Sequence, residues 1–251
     1  MLEKFINILA ICQTIIVEND NGEISYNASS PDELALTNAA RHFGMTFRDR
    51  DPDNNAIIYN KFTGLEEKYE VLNIMEFTSA RKRMSVVVRT PDGRIMSMIK
   101  GADSILLPLL HKGQDALKDK INKDLDEYAN EGLKTLILTQ KEIDPIFFRQ
   151  WNTRWEDAMK LKGDEKENML DKLSKEIENE YELIGCSAIE DKLQDDVGEV
   201  IHDIKDAGVK FWVLTGDKPE TAINIGFSCQ LLDQDMEIFE INEVRTKQIY
   251  R

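Results

Sequence analysis

Long uninterrupted apolar runs are missing from this 251-residue sequence, and so are the common nucleotide fingerprints. The most apolar opening stretch, Leu2 to Val17, is broken by Glu3, Lys4, Asn7 and Gln13. It is too interrupted to span a bilayer and carries no signal-peptide cleavage pattern; Phe5, Ile8, Leu9 and Cys12 instead share one helix face. No Gly-x-Gly occurs, which excludes a dinucleotide fingerprint and a kinase glycine loop. No Gly-x-x-x-x-Gly-Lys occurs either, which excludes a P-loop. Cysteine is scarce: Cys12, Cys186 and Cys229 are odd in number and far apart, so neither a disulfide framework nor a zinc site follows. A reducing compartment suits them. His42, His111 and His202 are equally scattered and show no metal-ligand spacing. Positive charge is in deficit, and a net charge of −15 argues against nucleic acid or an anionic membrane as partner for the surface as a whole.

What is there describes a folded chain. Hydrophobic residues make up 41% and charged residues 31%, enough apolar material for one large domain or two small ones. The first 180 or so residues read as mixed helix and antiparallel strand. Ile24 to Asn27 is a short strand. Ser30 starts a helix with Leu36, Ala39, Ala40 and Phe43 on one face and Gly44 past its end. Tyr69 to Phe77 and Met84 to Arg89 are strand-like, and Thr90-Pro91-Asp92-Gly93 turns the chain into Arg94 to Lys100, a β-hairpin. Leu117, Ile121, Leu125 and Tyr128 mark another helix, ended by Gly132 before a strand over Leu133 to Thr139. A charged helix follows, with Leu170, Leu173, Ile177 and Tyr181 as its inward stripe, Asp164 and Glu167 as a capping box, and a solvated charged face.

Near Leu183 the character changes. Leu183 to Ile189 reads as a buried strand, and Val197, Val200, Ile201 and Ile204 as a helix face closed by Gly208. Lys210 to Thr215 then reads as a strand buried on both faces. Asp217 is positioned to N-cap a further helix, with Pro219 in its first turn and Glu220 as capping-box partner. Alternating strand and helix is the signature of a parallel sheet, whose ligands bind beyond the carboxyl ends of the strands, where Thr215, Gly216 and Asp217 stand. The expected division is residues 1–182 and residues 183–251.

The segment Thr215-Gly216-Asp217-Lys218-Pro219-Glu220-Thr221-Ala222 resembles the phosphorylation-domain signature of P-type ATPases, and its wording resembles the lipid-flippase class. Ser30-Pro31-Asp32-Glu33, the run Glu76 to Ser85, Lys100-Gly101-Ala102-Asp103, Gly132 to Leu136 and Ile189 to Gln194 resemble the same class in the same order. The resemblance implies an α+β nucleotide-binding domain, an antiparallel sheet flanked by helices, over 1–182. It implies a partial α/β, haloacid-dehalogenase-like (Rossmann-like) phosphorylation-domain fragment over 183–251.

It also implies ATP as ligand, with Phe77 stacking on adenine and Ser79 and Lys82 nearby. On residue type alone, Phe77 reads as core and Lys100 as a strand-end lysine; the family makes Lys100 a pocket contact, with Gly101 allowing close approach. Glu33 has two readings: a capping-box partner of the Ser30 amide, or a carboxylate accepting from the adenine amino group. Arg81, Lys82 and Arg83 form a local basic cluster, although the two arginines also read as solvated. Lys134 stands where the family usually carries arginine, so a point charge replaces a planar fork. Thr215 would hold the transferring phosphoryl group, Gly216 would permit its approach, and Asp217 would orient phosphate and Mg2+. Asp191 either bridges domains or caps.

Several family parts are missing from the sequence: the phosphorylated Asp-Lys-Thr-Gly-Thr and the magnesium-binding Gly-Asp-Gly-x-Asn-Asp. The resemblance therefore implies an excised, catalytically incompetent piece of a membrane protein, lying on the cytosolic face. Its partners would be the actuator, the rest of the phosphorylation domain, the transmembrane helices, a phospholipid substrate and an accessory membrane subunit. A haloacid-dehalogenase-type phosphohydrolase with a large cap would need its own nucleophilic Asp-x-Asp beside the first core strand. A non-catalytic interaction module would bind no nucleotide.

Overall fold

The computed structural model of the chain describes residues 1–20, 23–216, 219–233 and 235–239. The chain divides into two compact units, 1–126 with 135–189, and 127–134 with 190–251.

The first unit is built on a seven-stranded sheet with strands in chain order: β3 (Met45–Arg50), β4 (Ala56–Asn60), β5 (Leu65–Met75), β6 (Arg83–Arg89), β7 (Ile95–Gly101), β8 (Lys134–Ile143) and β9 (Glu182–Ile189). Strands β3 to β8 run antiparallel to their neighbours. The central strand β6 is Val-rich and buried almost throughout, as a strand covered on both faces must be. A separate hairpin pairs β1 (Ile16–Asp20) with β2 (Glu23–Asn27).

Period-two alternation sorts the side chains of β6 and β7 to two faces. Met84, Val86, Val88, Met96 and Met98 join α1 (Leu2–Ile11) and α2 (Pro31–His42) in one core, with Phe47 and Ile58 from the outer strands. On the other face Val87 and Ile95 pack with Trp151, Leu173 and Ile177, and Ile99 with Leu106, Leu125 and Tyr181. These come from α3 (Asp103–Leu106), α4 (Asp115–Asn130), α5 (Pro145–Met159), α6 (Gly163–Ile177) and the segment after it.

The antiparallel sheet flanked by helices is the expected architecture, and the β6–β7 hairpin and α2 stand where their patterns put them. Three local readings change. The α6 cap is Lys162, without a side-chain cap bond, so Asp164 and Glu167 form no box. Tyr181 lies beyond α6, buried, its hydroxyl 2.6 Å from Ser97 Oγ. The strand over Leu183 to Ile189 is β9, hydrogen-bonded into this sheet as its edge beside β8.

The second unit contains the end of α4, the turn at Gly132 (φ +78°), α7 (Val197–Asp206) and α8 (Pro219–Ser228). Asn224 Nδ2 donates to the carbonyl of Asn130 at 2.9 Å, and Lys205 Nζ to that of Leu231 at 3.1 Å. Lys210 to Thr215, expected as a doubly buried strand, has no regular structure: Trp212 is 86% and Leu214 96% exposed. A strand exists only through its ladder partners, and among the described residues no strand lies beside this run. No helix of the described residues is long and apolar enough to cross a membrane.

Candidate functional site

One end of the sheet gathers most of the residues singled out in the first unit. There β5 ends at Met75, a loop over 76–82 follows, β6 begins at Arg83 and β7 ends at Gly101. Met84 is register partner of Lys100, and Arg83 of Gly101. The loop closes on itself through Thr78, whose carbonyl accepts the Lys82 N–H at 2.8 Å and whose Oγ1 accepts the Arg81 N–H at 3.1 Å. Lys82 sits in the left-handed region, φ +50°, and its carbonyl accepts the Ala102 N–H at 3.0 Å. Phe77 is 61% exposed, and Ser79 and Lys82 are exposed beside it in the loop. An aromatic this open at a strand end is not core, and its ring is available for stacking.

Gly101 has a structural necessity of its own. A Cβ there would stand 2.6 Å from Arg83 Cβ and 2.8 Å from the Lys82 carbonyl oxygen, closer than atoms pack. The space left by the missing side chain is filled by the neighbouring strand.

Lys100 points to the α1–α2 face, where it meets Glu33 of α2: Nζ to Oε1 is 3.0 Å, and both side chains are buried. The second carboxylate oxygen, Oε2, accepts from Thr14 Oγ1 at 2.8 Å. The capping-box reading of Glu33 falls here, because Ser30 makes no side-chain cap bond and the carboxylate is turned to Thr14 and Lys100 instead. Cys12 lies beneath the pair, fully buried, its Sγ 3.7 Å from the carbonyls of Met84 and Met98. Burial pushes its thiol up to about 11, with the Lys100 charge pulling it down and the Glu33 charge adding to the rise.

The arginines of the basic cluster are not solvated: both are turned to Glu178, on the face of the sheet opposite Lys100. Arg83 alternates with Met84 and so projects from the opposite face, onto Glu178 at the C-terminal cap of α6. Glu178, whose side chain is 0% exposed, accepts from Arg83 Nη2 at 2.6 Å and Nε at 2.8 Å, Arg81 Nη2 at 2.6 Å and Ser85 Oγ at 2.6 Å. A buried carboxylate at the negative end of a helix is doubly disfavoured, and two guanidinium groups offset it. Of the three cations, Lys82 alone is left exposed at the loop.

Lys134, Thr215 and Gly216 belong to the second unit: Lys134 opens β8, while Thr215 and Gly216 are exposed in the segment before α8. Asp217 lies outside the described residues. Among the described residues no group of three or more His, Cys, Asp or Glu could hold a metal ion.

Two residues escaped the sequence reading. Thr14, at the exit from α1, carries no local signal. Glu178 stands at the end of a charged helix, where a carboxylate is the commonest of surface residues.

Residues 1–196 match the family model described as P-type ATPase, cytoplasmic domain N. The chain is 46% identical over 235 residues to phospholipid-transporting ATPase IC of Xenopus tropicalis, covering 94% of this chain and 18% of that protein. It is 43% identical over 244 residues to phospholipid-transporting ATPase DRS2 of Saccharomyces cerevisiae, covering 97% and 18%. It is 42% identical over 249 residues to probable phospholipid-transporting ATPase 11 of Arabidopsis thaliana, covering 96% and 20%. The chain spans about a fifth of the length of these curated relatives.

Proposed function

The chain belongs to the family of P-type ATPase cytoplasmic N domains, and from that premise we propose that it binds ATP at the β5–β6–β7 end of its sheet. Phe77 is the platform for adenine. Glu33 accepts from the adenine amino group: each of its oxygens takes one donor, from Lys100 and Thr14, and a carboxylate oxygen has room for a second. Lys100 lines the pocket beside Glu33, and Lys82 supplies positive charge, with Ser79 and the Gly101 backbone nearby. The observation that carries this reading is the convergence of an exposed aromatic, an exposed lysine and a buried, incompletely saturated Glu33–Lys100 pair at one sheet end.

We propose further that the second unit is part of a phosphorylation domain of α/β type, with the change of domain in the region of residues 183–190. There Thr215, Gly216 and Asp217 meet the transferring phosphoryl group, and Lys134 adds a point charge. Asp217 would help orient Mg2+ bound with the nucleotide, which would neutralise charge at the phosphates. Family resemblance assigns the parent a phospholipid as substrate, an accessory membrane subunit as partner and a place at the cytosolic face of a membrane. The chain as given contains no Asp-Lys-Thr-Gly-Thr; hydrolysis through an aspartyl phosphate has no nucleophile in it.

Calorimetric titration with ATP tests the reading. Saturable binding without hydrolysis and without an acid-stable phosphoenzyme is expected. Absence of binding favours an interaction module of the same fold, and steady hydrolysis overturns the division of labour.

A further inference from the structure

The Glu178 cluster is built more heavily than its place in the core requires. A buried ion cluster seldom stabilises a fold more than well-packed apolar groups of the same volume, yet here one carboxylate takes four donors from three residues. All three, Arg81, Arg83 and Ser85, flank one feature. They are the last part of the 76–82 loop and the first turns of side chains on β6. Arg83 Nη1 also donates to the Arg81 carbonyl at 3.1 Å, so the guanidinium grips the loop backbone as well as the carboxylate.

The loop has no ladder of its own between Met75 and Arg83. Its shape rests on the Thr78 turn, on the Lys82–Ala102 bond and on this anchor. Phe77, Ser79 and Lys82 ride on it, on the side open to solvent. Glu178 is fully buried on the other face of the sheet from Glu33 and Lys100, so it cannot touch a ligand held by them.

We propose that Glu178 is a positioning residue for nucleotide recognition: through Arg81 and Arg83 it holds the 76–82 loop in the shape that presents Phe77 to the base. The inference rests on the nucleotide reading above. An aromatic platform contributes only when its ring plane is held where the base arrives, since ordering a loop on binding subtracts from affinity. The αL backbone at Lys82 adds to the need for an anchor, because a non-glycine residue holds that conformation only where its surroundings impose it.

The test is a double-mutant cycle on ATP affinity in the full chain, with Phe77→Ala and Glu178→Gln, each variant first shown to be folded by its near-ultraviolet spectrum. Glu178→Gln is expected to weaken ATP about three- to tenfold when Phe77 is present, and less than about twofold in the Phe77→Ala background, a coupling of ordinary size for residues linked through one network. Unchanged affinity in Glu178→Gln, or an equal loss in both backgrounds, overturns the positioning role. Should Glu178→Gln fail to fold, Arg81→Gln removes one arm of the anchor and is read by the same two criteria. If ATP does not bind, or Phe77→Ala leaves affinity unchanged, the nucleotide reading fails and this inference with it. If Phe77→Ala weakens binding and the coupling is absent, only the positioning role fails.

Discussion

Two buried carboxylates sit at the same end of one sheet, on opposite faces, and they are equipped differently. Glu178 takes four short hydrogen bonds from Arg81, Arg83 and Ser85 and is sealed from water. Glu33 takes two, one per oxygen, from Lys100 and from Thr14, and Thr14 is itself exposed. A saturated carboxylate has nothing left to offer a ligand, whereas one with a single donor on each oxygen does. The difference teaches that charge count is a poor guide to a binding site. The arginines that look most like anion binders in the sequence are spent internally, and the acid that looks like a helix cap is turned to Lys100 and Thr14.

Replacing each carboxylate and measuring stability by urea unfolding separates the two. Glu178→Ala leaves the buried Arg83 and the part-buried Arg81 without a counter-charge and is expected to cost about 3–5 kcal/mol. Glu33→Gln keeps one acceptor oxygen, for Lys100, sets an NH2 against the Thr14 hydroxyl, which can accept from it, and is expected to cost about 1–3 kcal/mol. Equal costs would erase the distinction between a saturated carboxylate and an unsaturated one.

Next in size is a pH effect at the buried Cys12, beside the Glu33–Lys100 pair. The Cys12 thiol titrates at about 11 in the fold against an ordinary 9.0. Because its folded value is raised, its contribution is complete below pH 9 and is lost as pH rises through 11, roughly 2–3 kcal/mol in all. The stability difference between the wild-type chain and Cys12→Ala is therefore expected to shift against the wild type over that window. A constant difference from pH 7 to 11 would show that water reaches the thiol.

Phe77→Ala is expected to change stability by no more than about 0.5 kcal/mol, as its exposure dictates. It should weaken ATP by about 1–3 kcal/mol, or roughly five- to 150-fold. The smallest effect belongs to Lys82, an exposed cation: Lys82→Ala is expected to weaken ATP about two- to fivefold at low salt, and the loss should fade as salt is raised. A salt-independent loss would mean that Lys82 is desolvated on binding.

Much of this was legible in the sequence where the signal is local. The β6–β7 hairpin carries alternation and a Pro-Asp-Gly turn, and α2 carries its start and stop residues, so both could be read directly. The strands β3 and β4 were not, because Met45 to Arg50 mixes charges into its alternation and bulges at Arg48. The pairing of Glu33 with Lys100 spans 67 residues and that of Arg83 with Glu178 spans 95. No local pattern encodes either, and the capping-box spacing at Ser30 pointed the wrong way. The run Lys210 to Leu214 marks the opposite failure. An apolar run announces that a strand would need neighbours, and says nothing about whether they are present.

The most direct measurement is backbone amide chemical-shift mapping of the chain titrated with ATP. Saturable shifts are expected at Phe77, Ser79 and Lys82, at Lys100 and Gly101, and at Glu33 in the first turn of α2. Shifts confined to other strands of the sheet, or no shifts at millimolar ATP, would contradict this site.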